Sequence, residues 1–119
     1  LTEPRPMQCT AQVESGVTIL HLQGKLDAVS VADFREEAQK QLRAGHRRIV
    51  LDFAQVEHVD GQGLAGMVAF YRRLTVEHQG VMAIAGLNPE LRVFFDRTAL
   101  TRVVPVAYEW QEAAREVRS

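Results

Sequence analysis

Near the middle of the chain, Ile49-Val50-Leu51-Asp52-Phe53 forms a nearly continuous apolar run. A strand with one wet face alternates apolar and polar residues, and this run does not. It suits a central strand covered on both faces, as in a parallel sheet. Parallel strands require crossover connections, usually helices. The flanking sequence supplies them. Val31, Phe34, Ala38 and Leu42 are spaced three, four and four apart. Leu64, Met67, Val68, Tyr71, Leu74 and Thr75 repeat a helical stripe on the other side.

The remaining elements follow from the same reading. Gln8–Glu14 and Val17–Leu22 flank Ser15-Gly16, a turn pair, and predict an antiparallel hairpin. Gly24 is expected to close the second strand, with 25–28 as a short loop. Ser30, followed three residues later by Asp33, resembles a capping box at the first helix, which Ala44-Gly45 ends. The second helix is expected to run to about His78, with Gly80 as its C-terminal glycine. Val81–Gly86 predicts another buried strand. Asn88-Pro89 predicts a cap with proline at the first helical position, opening a helix buried through Leu91, Phe94 and Phe95. Val103–Val106 predicts a short edge strand marked by Pro105, and Trp110, Ala113, Ala114 and Val117 a final helix. The order is ββαβαβαβα: one α/β domain over residues 8–118, a mixed sheet with an N-terminal hairpin and helices packed against it. Residues 1–7, proline-bearing and polar, are expected to be a flexible segment.

Composition narrows the function classes. The 119 residues carry 14 basic and 15 acidic side chains, a formal net charge of -1, which gives no field for nucleic acid or an anionic membrane surface. No apolar run approaches the roughly 20 residues that cross a bilayer. A single cysteine, Cys9, forms no internal disulfide and fits a reducing cytoplasm. The four histidines are scattered, without ligand spacing, and the serines fall in turns, a cap or the terminus. No metal, cofactor or catalytic group is expected.

The most informative segment is Val59-Asp60-Gly61-Gln62-Gly63-Leu64-Ala65-Gly66. Asp60 is placed to cap the following helix, and Gly61 and Gly63 permit unusual angles or close approach. Residues 61–66 also spell the dinucleotide-binding pattern G-x-G-x-x-G. Three features argue against a nucleotide. About seven residues separate Phe53 from the glycines, no acidic residue lies between Glu77 and Glu90 to hold a ribose, and two strands and a helix precede the motif. The other reading is a surface that receives a polypeptide. Gln62, Ala65, Gly66, Ala69, Arg73 and Val76 are expected to line the side opposite the apolar stripe, where small residues admit a second backbone. The alternative is that glycine and alanine merely fill a solvated face, although glycine within a helix costs about 1 kcal/mol.

Three stretches together resemble the STAS domain, the fold of bacterial anti-sigma-factor antagonists. They are Gly24-Lys25-Leu26-Asp27, Arg48–Phe53 and Val59–Ala65, the last lying where the family has Asp-Ser-Ser-Gly-Leu-Gly or Asp-Ser-Thr-Gly-Leu-Gly. The resemblance implies a non-enzymatic partner switch. The antagonist docks on an anti-sigma factor that is itself a histidine-kinase-like ATPase, and phosphorylation of the Ser or Thr ends docking. The chain departs at that point: the phosphoacceptor position falls on Gln62, and no hydroxyl occurs from Val59 to Gly66. The implied partner surface is Asp27, Asp60, Gly61, Gln62, Gly63, Leu64, Ala65, Gly66, Ala69 and Arg73, with Asp27 and Asp60 as caps, contacts or both. The alternatives are an accessory subunit of a lipid transporter or a stress-sensing assembly, and a small-ligand sensor. Whether the domain pairs with itself stays open in the sequence.

Overall fold

The computed structural model describes residues 7–118. Its elements are β1 (Met7–Glu14), β2 (Val17–Leu26), α1 (Val31–Arg43), β3 (Arg48–Val59), α2 (Gly61–Arg72), a π-helical turn (Arg73–Glu77), β4 (Val81–Ala85), α3 (Pro89–Asp96), α4 (Leu100–Val103), β5 (Val106–Ala107) and α5 (Trp110–Val117). The strands form one sheet in the order β1-β2-β3-β4-β5. β1 is antiparallel to β2, and the other three pairings are parallel. The expected mixed sheet and element order are therefore present. Residues 1–6 of the expected N-terminal segment lie outside the described residues, whereas Met7 opens β1 and is 1% exposed.

The run 49–53 is central and covered on both sides. Ile49, Leu51 and Phe53 point into the main core, where they meet Phe34 of α1, Met67 and Phe70 of α2 and Phe95 of α3. Val50 points the other way, with Val17, Ile19, Ala83 and Ala85, under Ala113 and Val117 of α5. Small Ala83 and Ala85 let the short α5 sit close to the sheet.

Several boundaries differ from the sequence expectation. Gly24 does not close β2, which continues to Leu26; Gly24 adopts φ +105 beside a shift in the β2–β3 register, and the strand passes through the irregularity. β3 runs on to Val59. Its second half keeps Val56 and Val59 buried while Ala54, Gln55, Glu57 and His58 are exposed, because only one face is covered there. Consequently a single residue, Asp60, joins β3 to α2. The separation of strand from glycines, used above against a nucleotide, does not exist. At the end of α2 the left-handed residue is Gln79 (φ +55), and Gly80 serves close packing instead, since a Cβ there would lie 2.5 Å from the Arg47 carbonyl oxygen. The strand expected at Val103–Val106 is reduced to Val106–Ala107, because Leu100–Val103 turns as a helix to bury Leu100. Asn88 caps α3 as expected, its side chain accepting the Leu91 N–H at 2.8 Å. Phe94, expected on the buried side, is half-buried beside fully buried Phe95.

Candidate partner-binding site

Two parallel strands end side by side at the site. Leu26 of β2 is in register with Val59 of β3, and each is followed at once by an aspartate. Asp60 N–H donates to the Leu26 carbonyl at 3.1 Å, tying the two loops together. Asp60 is extended, and its Oδ1 accepts the Gly63 N–H at 2.9 Å, the N-cap of α2. Asp27 Oδ1 accepts the N–H groups of Val29 at 3.0 Å and Ser30 at 3.1 Å. The Ser30 hydroxyl, expected to cap α1, instead turns back and donates to the Lys25 carbonyl at 2.6 Å. The capping box is not formed, since Asp27 already holds the Ser30 backbone. The Ser30 backbone N–H, above all, holds the Asp27 carboxyl below its usual value. A smaller desolvation opposes it, and Val29 N–H, the Ser30 hydroxyl and Lys25 assist. Asp60 is thus the cap of α2, Asp27 closes the turn ahead of α1, and together they fix the backbone at the joined ends of β2 and β3.

The glycines divide sharply. A Cβ on Gly63 would lie 2.2 Å from the Leu26 carbonyl oxygen, and one on Gly66 2.4 Å from Val31 Cγ2. Both are buried between α2, the β2 end and the start of α1. Gly66, assigned above to the outward side, faces inward, and so does Gly63. The nucleotide reading fails on this geometry: the glycine backbone that a pyrophosphate must approach is occupied by Leu26 and Val31. A Cβ on Gly61, by contrast, meets nothing within 4 Å.

The outer face of α2 carries the rest. Gly61, Gln62, Ala65, Ala69 and Val76 are exposed, and Leu64 and Arg73 are half-exposed. Leu64 packs its inner side on the core. Arg73 Nε is 3.7 Å from Glu77, an exposed pair of little energetic weight. The buried side is Gly63, Gly66, Met67, Phe70 and Leu74. The apolar stripe is therefore rotated from the one inferred, with Val68, Tyr71 and Thr75 half-exposed and Phe70 central. Phe70 was legible at i+3 from Met67, but the larger number of apolar residues on the neighbouring face concealed it. Between α1 and α2 a groove opens beside Arg35, Ala38, Leu42, Ala69, Phe70 and Arg73.

One polar cluster lies away from this face and was not anticipated. His21 Nδ1 is 2.7 Å from Asp52 Oδ2, its Nε2 is 2.8 Å from Gln12 Oε1, and its ring stands edge-on to Trp110. Asp52, inside an apolar run, is thereby paired, with Ala54 N–H donating to its second oxygen at 3.0 Å. This satisfies a buried carboxylate and fastens β1, β2 and β3 beneath α5. Cys9 is also confined: burial, helped by Glu37, pushes its thiol up to about 12, which leaves it as an inert thiol at neutral pH. Among the described residues no helix is long and apolar enough to cross a membrane.

A mixed five-stranded sheet that presents a rigidly capped helix end, with small side chains outward, is the frame of a small α/β binding domain. The chain belongs to the STAS domain family, whose model matches residues 8–113, and the curated relatives it is similar to are named anti-sigma factor antagonists. Proteins of that type are regulatory binding proteins, not enzymes. The chain is 27% identical over 108 residues to BtrV of Bordetella bronchiseptica, provisionally named an anti-sigma factor antagonist, covering 91% of this chain and 92% of that one. An anti-sigma factor antagonist from Mycobacterium paratuberculosis superposes over the full length of both chains with a TM-score of 0.87 at 20% identity. The Bacillus cell fate determinant SpoIIAA, solved in its phosphorylated form, superposes with a TM-score of 0.69 at 21% identity, covering 92% of this chain and 98% of that one.

Proposed function

We propose that this protein docks on an anti-sigma factor of the histidine-kinase-like ATPase type, and that its docking is not switched by phosphorylation at the mouth of α2. The observation that supports this most is the outward row Gly61, Gln62, Ala65 and Ala69 beside two aspartates whose carboxylates already hold local backbone N–H groups. The row is small enough for another polypeptide to approach, and its backbone is fixed before binding, so little ordering entropy opposes association. Asp27 and Asp60 border the row, Leu64 gives it a half-buried apolar edge, and Arg73 adds a cation at its far end. Gly63 and Gly66 serve the site indirectly, by letting α2 sit close to β2 and α1.

Gln62 decides the regulation. A phosphate here would add about -1.5 to -2 charge next to Asp60 and oppose a close interface. Glutamine offers no hydroxyl to accept it and is neutral. Docking is then set by the amounts of the two proteins in the cytoplasm.

The test is capture from cell extract on the immobilised chain, alongside Gln62→Glu. Enrichment of an ATPase-type anti-sigma factor by the wild type, lost with Gln62→Glu, is expected. Recovery of a transporter ATPase would replace the partner, and unchanged binding by Gln62→Glu would remove this face as the interface.

A further inference from the structure

The two edges of the sheet are built differently. β5, at one edge, has two residues and follows Pro105, which together leave little ladder to pair with. β1, at the other, is eight residues long and pairs with β2 in unbroken register from Met7 to Glu14. It contains no proline, no bulge and no charge before Glu14. Lysines, prolines, bulges and shortness are the usual protections of an exposed edge, and β1 has none of them. Ala11 and Val13 are exposed on the side where Met7 and Cys9 are covered by α1, Val13 by 59%. Gln8, Thr10 and Gln12 form the polar opposite side.

The helix above this edge carries a graded row of charge. Asp33, Glu36, Glu37, Lys40 and Arg43 line the channel beside Met7 and Cys9, acidic toward the start of α1 and basic toward its end. Among the described residues none of the five forms an ion pair. A two-fold axis normal to the sheet reverses such a row, setting the acidic half of one copy against the basic half of the other.

We propose that the chain forms a symmetric dimer by antiparallel pairing of β1 with β1 of a second copy, centred on Thr10. That register places Cys9 opposite Ala11, Met7 opposite Val13 and Gln8 opposite Gln12, so the apolar and polar sides both continue across the seam. The two α1 helices lie antiparallel on the same side of it, with Asp33 and Glu36 facing Arg43 and Lys40. The α2 face remains free on each copy, so the dimer presents two docking surfaces.

Sedimentation equilibrium of the full chain tests this, with an acidic variant (Lys40→Glu, Arg43→Glu) and a basic variant (Asp33→Lys, Glu36→Lys). The wild type is expected at twice the chain mass of 13.4 kDa at micromolar concentration. Each variant alone is expected to be monomeric, its dissociation constant raised at least ~100-fold by like charges across the seam, and an equimolar mixture to recover the dimer. Thr10→Cys in a Cys9→Ser background gives an independent readout, a reducible covalent dimer on air oxidation. A wild type that stays monomeric at ~100 μM, variants that remain dimeric, or failure of both the mixture and the cross-link overturns the proposal.

Discussion

The two faces of α2 use small residues for opposite ends. On the inner face Gly63 and Gly66 are small because Leu26 and Val31 already occupy the space. On the outer face Gly61 has open space where a Cβ would stand, and Ala65 and Ala69 are small and exposed, the latter at the rim of the groove between α1 and α2. The same residue types thus record a filled contact on one side and an unfilled one on the other. Smallness alone does not distinguish packing from docking; the neighbour does. The inner face sets how closely α2 approaches the sheet, and the outer face inherits its position from that approach.

Substitutions should separate the faces by size and sign. Gly63→Ala is expected to have the largest effect, about 3 kcal/mol of lost stability in denaturant unfolding, because the colliding atom is a backbone oxygen that cannot step aside. Gly66→Ala should cost less, about 1–2 kcal/mol, since a Val31 methyl gives way more readily than a carbonyl. Equal and negligible effects at both positions would break the distinction. Asp60→Ala removes the α2 cap and should cost about 1 kcal/mol. Gly61→Ala, in open space, should reverse the sign and stabilise by roughly 0.5 kcal/mol through helix propensity alone.

The smallest effect is a dependence on pH. Asp27 has its carboxyl held below the ordinary value of 3.8, so the stabilisation it provides is present above that value and disappears as pH falls through the lower folded one. Thermal melts of the wild type and Asp27→Asn should therefore converge in strong acid and separate above pH 3.8. Parallel curves across that window would mean that the carboxylate contributes no charge-dependent stability.

Much of this was legible in the sequence, for identifiable reasons. The run 49–53, the helical spacing of Val31 to Leu42 and the Asn88-Pro89 cap are local signals, and the elements formed where they pointed. The length of β3 was not legible, because Gln55, Glu57 and His58 resemble a loop unless one knows that only one side of that half-strand is covered. The inward aim of Gly63 and Gly66 follows the spacing of Met67, Phe70 and Leu74, a stripe hidden by the apolar residues of the neighbouring face, and what they pack on, Leu26 and Val31, lies some 35 residues earlier. Likewise Asp52 looks anomalous inside an apolar run until His21 is brought beside it by β2–β3 pairing. Two of the three stretches that carried the family resemblance, 24–27 and 59–65, proved to be neighbours at the carboxyl ends of β2 and β3, and the third, 48–53, is the buried first half of β3.

The central claim is that the outer face of α2 binds a partner whose hold phosphorylation cannot release. The direct measurement is intact-protein mass spectrometry after incubation with the captured anti-sigma ATPase and ATP, read together with retained binding. The wild type should bind and stay unmodified, and Gln62→Ser should gain one phosphate and dissociate. A wild type that acquires phosphate and leaves its partner would contradict the account.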